Sequence, residues 1–225
     1  MEIIAGTIPE AYHKALLAMS RTGKQVQSED WGTACMELTN VMLEVSYPLA
    51  EPRISLIGIH TPDSLESYVN ELCDGTFDWA YYCGKEAYTY HERFSEQLKK
   101  AINILREKPT SRRAVISVRR ESDIEVNDQP CLTTIQLLIR KSRLHMTAYF
   151  RSNDLAKATF MNMHALVELQ KRIADELGLP VGVYTHIVGS LHVYKRDYDT
   201  LFRAAERIGK GEKCVIATEE WEKFK

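Results

Sequence analysis

The sequence predicts an α+β fold, in which helices accompany a largely antiparallel sheet, and three observations carry that expectation. Two runs rich in β-branched and aromatic residues, "LTTIQLLIR" (132–140) and "LHMTAYF" (144–150), are separated only by Lys141-Ser142-Arg143, as in a tight hairpin. In the next segment Phe160, Met163, Leu166, Val167, Ile173, Ala174 and Leu177 fall close to helical spacing, with Gly178 where a helix stop belongs. The stretch "VGVYTHIVGSLHVY" (181–194) then begins as another strand. Strands and helices mixed in this way, with a hairpin at the centre, make an α+β arrangement.

The remaining elements follow from local signals. Residues 9–19 read as a short helix and "SRTGK" (20–24) as the loop after it. Asp63 is placed to cap a helix that begins at Ser64 and ends near Asp74-Gly75. A helix over 92–107 is stopped by Lys108-Pro109, because a proline disfavours helical geometry in the residue before it. "AVISV" (114–118) reads as a strand, and residues 196–208 as a final helix. With no internal repeat, low-complexity tract or Pro/Gly-rich linker, residues 1–225 are expected to form a single domain.

Composition narrows the function classes. A chain of 225 residues can bury roughly 70% of its unfolded surface and needs no covalent or metal staple. Lys+Arg of 29 against Asp+Glu of 31 leaves a net charge of -2, so no global basic field draws in DNA or an acidic membrane. Local basic clusters can still hold a small anion. The cysteines, Cys35, Cys73, Cys83, Cys131 and Cys214, are odd in number and scattered, with no CxxC pair. That points to a reducing cytoplasm rather than a disulfide framework or structural zinc. The start "MEIIAGTIPEAYHK" lacks a signal-peptide pattern, and no run approaches the length of a membrane span.

The chemistry-bearing residues cluster in the second half. Cys131 follows Pro130 at the mouth of a predicted strand. A free cysteine is most often a small buried hydrophobe; as a nucleophile it needs its thiolate, which a nearby cation favours. Arg112 and Arg113 introduce one strand, Arg151 ends another expected to be its sheet-mate, and Arg21 sits in a Thr-Gly loop. Guanidinium forks suit phosphate, so arginines from distant segments could form a phosphate clamp, with the Ser152 hydroxyl as a further donor. His192 and Tyr194, two apart on an extended strand, face the same way and offer two polar tips to one ligand hydroxyl. Asn162 opens an amphipathic helix, and its amide carries both the donor and the acceptor that a pyrimidine edge requires. His13, His60, His91, His145, His164 and His186 show no metal-ligand spacing and read as structural, and no metal is expected.

The order Pro130-Cys131, Arg151-Ser152-x-Asp154, Asn162 and Gly189-x-x-His192-x-Tyr194 resembles the thymidylate synthase family. "SRR" (111–113), "SRTG" (20–23) and Gln136 extend the resemblance upstream, and the short chain is similar to the family's compact archaeal branch. The chain departs from the pattern at Leu132, where a histidine is usual, and at Ser190, where an aspartate is. It also departs in its C-terminal stretch "CVIATEEWEKFK", where the family's folate-closing tail is not recognisable.

The resemblance implies a mixed sheet with helices packed on one side, and the reductive methylation of dUMP to dTMP through a covalent bond from Cys131 to C6. The one-carbon donor would be 5,10-methylenetetrahydrofolate or a methanopterin-type analogue. It implies that Arg151 binds phosphate and favours the thiolate, that Arg21 and Ser152 bind phosphate, and that Arg112 and Arg113 reach over from a partner in a homodimer. It further implies that His192 and Tyr194 hold the deoxyribose, that Asn162 reads the uracil edge, that Asp154 orders the network near the base, and that Gln136 belongs to the nucleotide site. An early-helix glutamate, Glu66 or else Glu71, would organise proton transfer. Two alternatives accompany this reading: a dCMP or CMP hydroxymethylase of the same fold, and a non-catalytic nucleotide- or RNA-binding relative.

Overall fold

The fold is seen in a computed structural model that describes residues 1–29, 32–58 and 60–224. The chain opens with β1 (Glu2–Ala5) and α1 (Ile8–Thr22), whose first turn is capped by the Thr7 hydroxyl accepting from the Glu10 amide at 3.4 Å. The helix runs through Ser20 to Thr22, where the sequence suggested a loop. Gly23 then turns the chain directly into β2 (Lys24–Ser28): a Cβ there would lie 2.6 Å from the Met19 carbonyl oxygen, so only glycine allows so abrupt an exit. β3 (Thr33–Val45) and the short β4 (Ile54–Ser55) follow.

Thr61, not Asp63, caps α2 (Pro62–Asp74). Its hydroxyl accepts from the Ser64 amide at 3.2 Å, and the Ser64 hydroxyl accepts from the Thr61 amide at 2.8 Å, so two orphan donors are satisfied reciprocally. Proline at the first helical position has no amide to satisfy, which moves the start two residues ahead of Ser64. Gly75 closes the helix at φ 67. After the short α3 (Asp78–Tyr82), α4 (Tyr90–Glu107) is capped by Thr89 and ends at Lys108-Pro109 as expected. The second half contains β5 (Val115–Ser117), β6 (Leu132–Arg140), β7 (Arg143–Asp154), α5 (Thr159–Leu177), β8 (Val181–Tyr194), α6 (Tyr198–Gly209), β9 (Val215–Ile216) and α7 (Thr218–Trp221).

One sheet runs in the order β1-β3-β8-β7-β6-β5, with β2 also paired to β3; β4 and β9 form a separate ladder. Most neighbours are antiparallel, but β1 runs parallel to β3 and β7 parallel to β8. β5, which follows Arg112 and Arg113, and β7, which carries Arg151, thus belong to one sheet as expected, with β6 between them.

The parallel pair positions the site. Parallel neighbours need a crossover, and α5 supplies it. Its first turn must begin where β7 ends, beside the end of β8, so the polar seam 151–162 meets 190–194 in space. α5 is buried nearly all round, as a helix covering the sheet centre must be. Beneath it alternate residues of β7 (Leu144, Met146, Ala148, Phe150) and β8 (Tyr184, His186, Val188) are fully buried. The intervening Tyr149, 41% exposed, points the other way, as does Val115 of β5 at 45%. The helices thus cover one face of the sheet.

Several polar groups are built into this core. Arg93 of α4 donates to both carboxylate oxygens of Asp123, at 3.2 and 2.9 Å, and so fixes the segment leading to Cys131. His186 meets the Tyr184 hydroxyl at 2.8 Å and the Asn153 carboxamide oxygen at 3.2 Å. Burial pushes His13 down to about 4, and His164 and His186 down to about 3, from 6.5. These rings stay neutral in the fold while the unfolded chain takes up protons below pH 6.5. Stability is therefore expected in full above pH 6.5 and to fall steadily toward pH 4; a melting temperature independent of pH across that window would contradict the neutral assignment.

Candidate active site

The C-terminal ends of β7 and β8, the start of α5 and the first half of β3 enclose a cleft of about 940 Å³. Cys131, Arg151, Ser152, Asp154, Asn162, His192 and Tyr194 all line it. The end of a parallel strand pair is where open sheets habitually bind ligands, because the crossover helix and strand ends leave a crevice there. Residues 26–29, Cys35 and Glu37, from the β2–β3 hairpin, supply a further wall.

A register shift between Leu132 and Thr134 delivers the cysteine. Such a bulge re-aims the strand end, so Leu132 turns fully into the core while half-buried Cys131 lines the cleft. The Leu132 amide donates to the Tyr90 hydroxyl at 3.3 Å. Arg151 secures the other side. Its backbone amide donates to the Cys131 carbonyl at 2.9 Å, and its guanidinium donates to the carbonyls of Pro130 at 3.1 Å and Gln129 at 2.7 Å. Burial pushes the Cys131 thiol up from its ordinary value; Arg151 opposes that rise and Asp128 adds to it.

Across the cleft, β3 and β8 place Cys35 opposite Tyr194 and Glu37 opposite His192, while the β7–β8 register sets Ser152 beside Ser190 and Asp154 beside His192. Ser152 Oγ lies 3.3 Å from His192 Nδ1, and the His192 and Tyr194 rings meet edge-on with centroids 4.8 Å apart. Ser190, at the position of the expected aspartate, donates its hydroxyl to Glu37 Oε1, so a carboxylate is still held at this wall. Asp154 Oδ1 accepts from the amides of Ala156 at 3.0 Å and Lys157 at 3.2 Å, which shapes the turn into α5. Burial raises its carboxyl above the usual range, against the pull of His192. Asn162, only 5% exposed, accepts at Oδ1 from the Tyr68 hydroxyl.

Six residues singled out in the sequence do not line this cleft. Arg21 is exposed in the last turn of α1, and Arg112 and Arg113 are exposed before β5. Gln136 Nε2 donates to the Arg112 carbonyl at 3.4 Å, tying that loop to β6. Glu66 lies exposed on α2, and Glu71 is half-buried outside the cleft; Tyr68 takes the inward position on that helix. Two residues along a helix turn about 200°, so Glu66 and Tyr68 cannot share a face.

The sequence reading missed Tyr68, Tyr90 and Glu37. The signals were present: Tyr68 falls three residues after Leu65 and four before Leu72 on the buried stripe of α2, and Tyr90 directly follows the capping Thr89. Among the described residues no group of three or more His, Cys, Asp or Glu side chains is arranged to hold a metal ion, and no helix is long and apolar enough to cross a membrane.

Comparisons with known proteins place the chain in a family. A sequence model of the family described as thymidylate synthase matches residues 57–222. A Methanosarcina barkeri protein named "Putative thymidylate synthase" is 31% identical over 210 residues, 92% of this chain and 94% of its own length. One of the same name from Methanocaldococcus jannaschii is 30% identical, covering 86% and 90%. A thymidylate synthase of Bacillus phage phi3T is 28% identical over 79% of this chain and 62% of its own. The family match spans all the cleft residues contributed by α2, α4 and β6 to β8, and the chain belongs to the thymidylate synthase family.

Proposed function

We propose that this chain, acting as a single catalytic domain, methylates dUMP reductively to dTMP. The observation that carries the proposal is the convergence of a cysteine, an arginine fixed beside it, and a buried asparagine in one cleft. The donor would be 5,10-methylenetetrahydrofolate or a methanopterin-type analogue. The cleft fits a reduced pterin: its volume of about 940 Å³ is near the upper end of the roughly 300–1,000 Å³ of small-molecule sites, leaving room beside a nucleotide. Tyr90 lines the cleft near Cys131 and would give the pterin an aromatic contact, with Tyr88 behind it at a ring-centroid distance of 5.7 Å. The pterin supplies a one-carbon unit and a hydride.

The protein's own groups do the rest. The Cys131 thiolate adds to C6 of the uracil, the C5–C6 double bond opens, and negative charge moves toward O4. Asn162 Nδ2 donates to O4 and so stabilises that charge. C5, now electron-rich, takes up the one-carbon unit and releases its proton to solvent; the hydride that the pterin would supply then turns that unit into a methyl group, the C5–C6 double bond re-forms, and the sulfur–C6 bond breaks to return the thiolate. Arg151 uses two guanidinium N–H donors on the carbonyls of Pro130 and Gln129 and its backbone amide on that of Cys131, and the remaining guanidinium N–H groups are available to the phosphate. Ser152 adds a phosphate contact, His192 and Tyr194 hold the deoxyribose hydroxyl, and Asp154 orders the turn beneath the base.

The reading includes a homodimer. Arg112 and Arg113 are exposed outside this chain's own cleft, and the sheet face away from the helices carries the exposed Tyr149 and Val115. A second copy packed on that face would cover it and bring both arginines to the partner's phosphate.

One observation favours the hydroxymethylase as a second reading. The C-terminal stretch pairs β9 with β4 and packs Trp221 on His60, with ring centroids 5.9 Å apart, rather than lining the cleft. A cleft open to water would let water capture the one-carbon adduct. Incubation with C5-tritiated dUMP or dCMP, with and without methylenetetrahydrofolate, separates the readings. Donor-dependent tritium release from dUMP with a methyl product is the expected result. Release from dCMP with a hydroxymethyl product would replace the proposal by the second reading.

A further inference from the structure

Asn162 can read a base only if its carboxamide is held one way round, and the structure contains a device for that. Tyr68 projects from α2 into the cleft and donates its hydroxyl to Asn162 Oδ1. The two residues belong to different helices, separated by 94 positions in sequence, yet α2 packs directly against α5 and brings them together. Asn162 is 5% exposed, so its amide has little freedom to exchange partners with water.

The carboxamide has two faces of opposite character, an accepting oxygen and a donating nitrogen. With Oδ1 turned to the phenol, Nδ2 is left to meet the ligand. In the flipped amide the phenol oxygen could accept from Nδ2, but its own proton would then lose its acceptor, since Asn162 is the hydroxyl's hydrogen-bond partner among the described residues. A donor stranded in the interior is costly. Burial, reinforced by Glu71, Tyr88 and Cys131, raises the Tyr68 phenol far above its ordinary value and keeps it a donor at any working pH.

We propose that Tyr68 is a positioning residue that sets base choice, by holding the Asn162 amide with Nδ2 toward C4 of the pyrimidine. This inference rests on the nucleotide reading of the cleft. A 4-oxo base presents an acceptor to Nδ2, and its N3–H can use the second lone pair of Oδ1. A 4-amino base presents a donor at C4 and an acceptor at N3, so donor faces donor and acceptor faces acceptor. The fixed amide therefore admits uracil and rejects cytosine through two mismatches rather than one. Selectivity of this kind is strong because the mismatched groups are buried and cannot turn to water.

The test is a double-mutant cycle read by calorimetric titration of the full chain with dUMP and with dCMP. Tyr68→Phe keeps the ring in its packing and deletes only the hydroxyl. It is expected to narrow the dUMP-over-dCMP preference by about tenfold, the effect of one ordinary hydrogen bond. Asn162→Ala removes the reader, and in that background Tyr68→Phe is expected to leave the dUMP/dCMP ratio where it was. A purely structural role for Tyr68 would weaken both nucleotides equally and persist in the Asn162→Ala background, and either outcome overturns the proposal. Wild-type preference for dUMP with an unchanged ratio in Tyr68→Phe overturns this inference alone. Wild-type protein that bound neither nucleotide would overturn the nucleotide reading and this inference with it.

Discussion

Replacing Cys131 by serine is expected to lower tritium release from C5-labelled dUMP by on the order of 10³-fold or more, the scale on which loss of a covalent nucleophile is felt. Serine occupies nearly the same volume but is a far weaker nucleophile without a general base. The half-buried side chain of Cys131 adds little to the core, so the melting temperature should stay close to that of the wild type. Binding of dUMP should persist, because Asn162, His192 and Tyr194 are untouched. Turnover in Cys131→Ser within tenfold of wild type would mean that the sulfur is not the group that attacks C6.

Arg151 is expected to give the second-largest effect, and two variants separate its two jobs. Its guanidinium donates to the carbonyls of Gln129 and Pro130, and its charge opposes the rise that burial imposes on the Cys131 thiol. Hydrogen bonds from a charged group contribute about 1.5–3 kcal/mol each, and about 1.4 kcal/mol is tenfold in rate. Arg151→Gln should therefore cost about 10²-fold or more in kcat/KM. The sign of its pH effect follows from the thiol. Burial and Asp128 raise the thiol and Arg151 lowers it, so removing the cation raises it further. The thiolate fraction at a given pH then falls, and the rising limb of kcat/KM against pH should move to higher pH. Arg151→Lys keeps the charge but loses the planar fork, so it should keep more of the pH profile than of the rate. An unmoved limb in Arg151→Gln would show that the cation does not set the thiol's ionisation.

The second half of the chain was legible because its signals are local. The hairpin at Lys141-Ser142-Arg143, the helix ending at Gly178 and the strand 181–194 each carry their own pattern, and the strand runs unbroken to Tyr194. The site was legible where one crossover brings it together: β7, α5 and β8 carry residues 151–162 and 190–194 to one place by topology. What the sequence concealed depends on packing between distant segments. The buried residues of β3, Cys35, Leu38, Val41, Leu43 and Val45, are spaced by three, three, two and two, and Asn40 adopts φ 52 among them, so no strand period shows. Glu37 enters the cleft only because β3 pairs with β8. The resemblance implied a glutamate on this helix, Glu66 or else Glu71, yet the helix phase set by Leu65 and Leu72 turns Tyr68 inward. Asp63 lost the cap to Thr61 because Pro62 starts the helix.

The account turns on a bond between Cys131 and the base, and one measurement addresses that bond directly. In 5-fluoro-2′-deoxyuridine 5′-phosphate the fluorine at C5 cannot leave as a cation, so a reaction begun by thiolate addition stalls with the sulfur still attached. Intact-protein mass spectrometry of the full chain with this nucleotide and methylenetetrahydrofolate should show the added mass of both, and digestion should place it on the peptide that contains Cys131. Attachment at Cys35, the other cysteine lining the cleft, or methyl transfer to dUMP by a protein that never gains this mass, would contradict the account.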